Sequence, residues 1–198
     1  MMINPVTTTH MTIQQFAEFV NLPENGDKIY ELIRGTAIQM PAPSPIHAHI
    51  SGVIYAAILD YLKSHPIGFT FPDSISYVLF DDTEVIPDAS FISHERQKTF
   101  PEKMMIPPDL AVEVVSPSNR PRQMLNKIEL YLQSGTRLVW VIYPDERVAD
   151  VYRMDEDGRL ISQKLTLNDS FDGEDVLPQF KLPVKDIFPA SLLAHPQP

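Results

Sequence analysis

The run Leu110-Ala-Val-Glu-Val-Val115 constrains this chain more than any other stretch. It is short, apolar and rich in β-branched residues, which reads as a buried strand. Yet it carries one carboxylate, Glu113, in its middle. A buried ionised carboxylate costs several kcal/mol unless a cation, a metal or hydrogen-bond donors meet it. A second acid, Asp88, lies in Ile86-Pro-Asp-Ala-Ser-Phe91 on the preceding candidate strand, and Lys127 follows on the next candidate helix. Two acids on neighbouring strands and one lysine are what a divalent metal and an activated water require.

Turn and cap signals divide the rest of the chain. Thr12-Ile-Gln-Gln15 has the spacing of a capping box and predicts a short helix through Val20. Residues 29–34 and 36–40 alternate about Gly35 and predict a hairpin. Pro41-Ala-Pro-Ser-Pro45 stops the sheet, and Ser44 with Pro45 then starts a helix reaching about Lys63. Strands are expected near 69–71, 75–80 and 85–92, with Pro87 placing Asp88 near a strand start or an edge. After 110–115 comes a helix ending at Ser134, with Gly135 as its terminator. Strands at 138–143, 148–153 and 160–165 follow, and 180–182 adds a last short one. This order predicts an α/β or α+β domain, a mixed sheet with helices packed on it.

At 198 residues the chain fits one domain, read here as 12–190, with a loose leader at 1–11 and a tail at 191–198. The absence of cysteine excludes disulfides, thiolate zinc sites and cysteine nucleophiles. No apolar run approaches the roughly 20 residues of a membrane span, and no signal peptide opens the chain, so a cytoplasmic protein with no membrane partner is the expectation. The net charge of -10 means that non-specific nucleic-acid binding should be weak without a metal. Positive charge is grouped all the same: Arg96, Lys98 and Lys103 in one segment, Arg120, Arg122 and Lys127 in another. The ordinary reading of the first group is solvated loop charge, while the second follows the acidic strand and suits phosphate.

Each candidate has a plain structural alternative. Glu113 shares its strand face with Ala111 and Val115, where capping a helix or pairing with an arginine would also satisfy it as a structural carboxylate. Lys127 flanks an apolar stripe of Met124, Leu125, Ile128, Tyr131 and Leu132, a position from which lysine usually snorkels to water. Glu31 alternates with Ile29 and Ile33, again an acid on an apolar face. His47 falls at helical spacing with Ile50, Ile54 and Ile58, where a satisfied core histidine is the ordinary reading. No Ser-His-Asp arrangement or phosphate-binding glycine loop stands out. Cations are not interleaved with aromatics, so a single-strand stacking platform is not expected.

Taken in order, Tyr30-Glu-Leu-Ile33 with Gly35, His47 opening a helix, Pro87-Asp88, Pro108-Asp-Leu-Ala-Val-Glu-Val-Val-Ser-Pro-Ser118, then Lys127, Tyr131, Gly135 and Trp140 resemble the Uma-two family of restriction-endonuclease-like proteins within the PD-(D/E)xK nuclease superfamily. The resemblance runs from about Thr12 to Phe188. It implies a restriction-endonuclease-like fold, a mixed central sheet flanked by helices, and a Mg2+ (or Mn2+) site built from Asp88 and Glu113. It also implies a DNA substrate and a homodimer. The superfamily's lysine normally follows the glutamate by two residues, where this chain has Val115; in the family resembled it sits on the following helix, as Lys127. Glu31 would be a further acidic contributor, and His47 or Glu31 could tune the metal shell. The chain departs from the family at Gln123 and Tyr143, where aspartates are usual. The expectation is a metal-dependent endonuclease; the alternatives are a catalytically weak or inactive nuclease-fold module that binds nucleic acid or regulates, and a hydrolase of another phosphoester.

Overall fold

A computed structural model describes residues 10–116 and 121–193. The expected capping box forms: Thr12 and Gln15 exchange side-chain and backbone hydrogen bonds and start α1 (Ile13–Val20). The hairpin follows as β1 (Tyr30–Ile33) and β2 (Thr36–Gln39), turning through Gly35 at φ +74°. The Ser44 side chain accepts the His47 N–H, and Pro45 leads α2 (Pro45–Ser64). Then come β3 (Gly68–Pro72), β4 (Tyr77–Phe80), β5 (Thr83–Val85), β6 (Ala89–Ser93), β7 (Leu110–Val114) and α3 (Pro121–Ser134). The chain continues through β8 (Leu138–Tyr143), β9 (Val148–Met154), β10 (Leu160–Leu165), β11 (Ser170–Asp172) and β12 (Lys181–Pro183), then a 3-10 turn (Val184–Ile187) and α4 (Ala190–Leu193).

Six strands make the central mixed sheet in the order β10-β9-β8-β7-β6-β3. β7 and β8 run parallel, with α3 as the crossover; the other pairs are antiparallel. A second sheet orders β2-β1-β5-β4, and β11 pairs β12. Alternation along β7 sends Leu110, Val112 and Val114 into a core with Ile50, Ile54 and Ile58 of α2 and with Trp140. Ala111 and Glu113 face the other way, where Met124, Ile128 and Tyr131 of α3 pack. Both faces of β7 are therefore covered, which is why its sequence is apolar almost throughout.

The strand expected over 85–92 is two strands in different sheets. β5 ends at Val85 and pairs β1 and β4, whereas β6 starts at Ala89 and pairs β3 and β7. Pro87 removes a ladder donor at the point where the chain changes sheets, so Asp88 sits in the break rather than on a strand. Three differences are smaller. β4 begins at Tyr77 rather than 75, β12 lies one residue later than 180–182, and β11 had no signal of its own. Of the predicted leader, His10 and Met11 are described, and both are docked: Met11 N–H donates to Gly35 O at 2.8 Å, and the His10 ring meets Asp82 at 3.2 Å. Residues 1–9 and 194–198 lie outside the described residues, and 191–193 belong to α4. Among the described residues no helix is long and apolar enough to cross a membrane.

Gly68 starts the edge strand β3 opposite Ser93. A Cβ there would fall 2.2 Å from Ile92 O and 2.6 Å from the Phe91 ring. Gly68→Ala is therefore expected to destabilise by about 1–3 kcal/mol, read as a lower urea midpoint with an unchanged slope.

Candidate active site

Lys127 does not snorkel. It is 9% exposed, and its Nζ lies 2.8 Å from Glu31 Oε1 and 2.8 and 2.9 Å from the two oxygens of Glu113. The carboxylates come from different sheets, Glu31 from β1 and Glu113 from β7, so one ammonium links both sheets to α3. In the predicted stripe Leu125, 42% exposed, is the residue that faces out instead.

Each acid also holds further donors. Glu31 Oε1 accepts the backbone N–H of Ile86 at 2.8 Å. Glu113 Oε1 accepts the Tyr131 hydroxyl at 2.8 Å. Asp88 Oδ2 accepts the Val114 N–H at 2.6 Å, and Asp88 Oδ1 lies 2.9 Å from His47 Nε2. Since a carboxylate only accepts, Nε2 carries the proton in that contact. The other ring nitrogen, Nδ1, is buried without a partner, so His47 is not the fully satisfied core histidine.

The electrostatics follow from three acids in a poorly hydrated place. Burial pushes the Glu113 carboxyl up to about 8; Lys127 opposes this, and the charges of Asp88 and Glu31 reinforce it. Burial lowers the Lys127 ammonium, but Glu113, Glu31 and Asp88 outweigh it and hold the lysine above its ordinary value. Burial likewise lowers His47, and the hydrogen bond and charge of Asp88 more than reverse it. Burial, then Glu113, hold the Tyr131 phenol well above 10, so Tyr131 acts as a donor to Glu113 and not as a base.

Glu31, His47, Asp88, Glu113 and Lys127 all line one cleft of about 450 Å³. All five sequence candidates are thus brought together. Sequence reasoning placed Tyr131 in the apolar stripe and among the residues of the resemblance but gave it no chemical role; its spacing of four residues from Lys127 was the available signal. Gln123 also lines the cleft, and its Oε1 is buried without a partner. Of the grouped cations, Lys127 is the one that lines the cleft among the described residues. Arg96 pairs with Asp109 and donates to Pro108 O and Gly135 O, and Lys103 pairs with Glu84. Arg122 is exposed, and Arg120 falls outside the described residues.

The donors suit a hard divalent cation. They are carboxylate oxygens with no thiolate, and the four acids lining the cleft, Glu31, Asp73, Asp88 and Glu113, outnumber its two cations, Arg34 and Lys127. Among the described residues no three His, Asp or Glu side chains close into a cage. Magnesium often binds through one or two carboxylates and keeps several waters, and Asp88 and Glu113 are the pair that could supply them here.

A family model described as "Putative restriction endonuclease", Uma2, matches residues 16–185. The chain is similar to the crystal structure of a "putative nuclease belonging to DUF820" from Anabaena variabilis, at 25% identity and a TM-score of 0.77, over 92% of this chain and 99% of that one. The comparison with curated proteins finds no match.

Proposed function

The chain belongs to the Uma2 family, and from that membership and the carboxylate–lysine cleft we propose that it is a metal-dependent endonuclease hydrolysing DNA phosphodiester bonds. The observation that carries the proposal is Lys127, buried between Glu31 and Glu113 in the cleft that Asp88 also lines. Asp88 and Glu113 would hold Mg2+ or Mn2+. When bound, the ion would lower the pKa of a coordinated water and neutralise phosphate charge.

The protein's own groups divide the remaining work. His47 and the Val114 N–H fix the Asp88 carboxylate, one on each oxygen. Tyr131 fixes Glu113, which lets its orientation survive any shift of Lys127 toward substrate. Lys127 stays an ammonium, because three acids hold its proton. It therefore serves as a donor to the attacking water or to the phosphate oxygens gaining charge in the transition state, and not as the general base.

Supercoiled DNA incubated with magnesium or manganese should be nicked or linearised, and chelation should stop the reaction. A second reading, a module that binds without cutting, draws on Gln123, whose unpartnered oxygen stands in the cleft. A wild type inert on every DNA and metal tried gives that reading the advantage.

The pH response has a defined sign. Glu113 ordinarily loses its proton near 4.5, and in the folded protein it does so near 8. The folded state keeps an extra proton between those values, so this group's contribution to metal-free stability is complete below 4.5 and falls as pH rises through 8. A metal ligand must be the carboxylate, so metal affinity should climb with pH up to about 8 and then level off, with proton release. Calorimetric titration at several pH values checks this; a flat affinity between pH 6 and 8 would remove Glu113 from the ligand set.

A further inference from the structure

The β1–β2 hairpin is apolar on both faces. Tyr30, Leu32 and Ala37 are buried with Phe16 of α1. On the cleft face, Ile29, Ile33, Ile38 and Met40 surround Glu31, with Ile38 directly across the ladder from it. These four are only partly covered, and Ile29 is 56% exposed. A hairpin at the surface ordinarily alternates apolar and polar residues, so a second apolar face calls for an occupant.

The chemistry of the cleft says which occupant. Its volume of about 450 Å³ suits one small organic moiety and not a rod. Duplex binding relies on many lysine or arginine contacts to phosphate. Among the described residues the cations lining the cleft are Arg34 and Lys127, Lys127 is already held by two acids, and the chain's net charge is -10. A duplex presents phosphates and sugars outward, which gives an aliphatic wall nothing to bury. An unpaired nucleotide presents a flat apolar base one sugar away from its phosphodiester.

Resting on the nuclease reading above, we infer that this wall takes the base of an unpaired nucleotide, so that the cleft acts on single-stranded or locally unpaired DNA. The phosphodiester lies at the Lys127 end, and the base packs on Ile29, Ile38 and Met40. No Phe, Tyr or Trp is among the described residues lining the cleft, and the one ring there, His47, is held by Asp88. The contact is therefore a pocket for one base and not a track of stacked bases, which agrees with the absence of aromatic-interleaved cations in the sequence.

The test uses three DNAs of equal length: a single strand, the same strand built from abasic units, and a blunt duplex. Fluorescence anisotropy in calcium reads binding, and cleavage in manganese reads turnover. The single strand should be bound and cut about tenfold or more better than the other two. Ile29→Ser changes an exposed residue, so the fold should tolerate it. It should weaken single-strand binding severalfold and leave abasic-strand binding unchanged.

Equal affinity for the base-bearing and abasic strands overturns the pocket. Equal cutting of duplex and single strand, with Asp88→Asn inert, overturns it too and leaves the nuclease reading standing. Base-dependent binding without any cleavage supports the pocket and removes the nuclease. Should Ile29→Ser instead lower the sedimenting mass and leave DNA binding untouched, the wall belongs to a second copy of the chain and the inference fails.

Discussion

Lys127→Ala is expected to slow phosphodiester cleavage by about 10²–10³, the usual effect of deleting one preorganised electrostatic donor. Metal binding should survive, because alanine at that position takes no ligand away. The same change should destabilise the metal-free protein by about 3 kcal/mol, since it leaves Glu31 and Glu113 buried without their shared cation. Protonation of Glu113 softens that loss, so it should shrink as the pH is lowered. Cleavage within a few-fold of wild type would assign Lys127 a structural role alone.

Asp88→Asn should abolish both cleavage and the response to metal. Asparagine keeps the shape and can still accept the Val114 N–H, so the fold should persist while a charged ligand is lost. For wild type, metal at a hundred times its Kd stabilises by about 2.7 kcal/mol. In a chain of this length that raises Tm by roughly 5–10 °C. Thermal melts with and without millimolar magnesium should show the rise in wild type and none in Asp88→Asn. An equal rise in both proteins would place the ion elsewhere.

Much of the fold was legible because it rests on local signals. Thr12 with Gln15, Ser44 with Pro45, and Gly35 and Gly135 at positive φ mark element ends wherever the surrounding chain lies. The split between β5 and β6 was not legible, because a strand that changes sheets keeps its β-type composition on both sides of Pro87. β11 was hidden because its three residues carry no pattern. The site was half legible. Acids on apolar strands stood out as anomalies, but the burial of Lys127 depends on Glu31, 96 residues away in sequence, and no spacing rule reaches that far. Tyr131 passed for core because an aromatic at stripe spacing usually is core; only the position of Glu113 gives its hydroxyl a task.

The break at Pro87 has one more consequence. The N–H groups of Ile86 and Val114 do not go to strand partners; they go to Glu31 and Asp88. Two main-chain amides are thus wired to the cleft's charges, one on each side of the junction between the sheets. Capture of an ion at either carboxylate would change how strongly the backbone is held there. Binding in the cleft and the hold on the backbone where the two sheets meet are for that reason linked through these two hydrogen bonds.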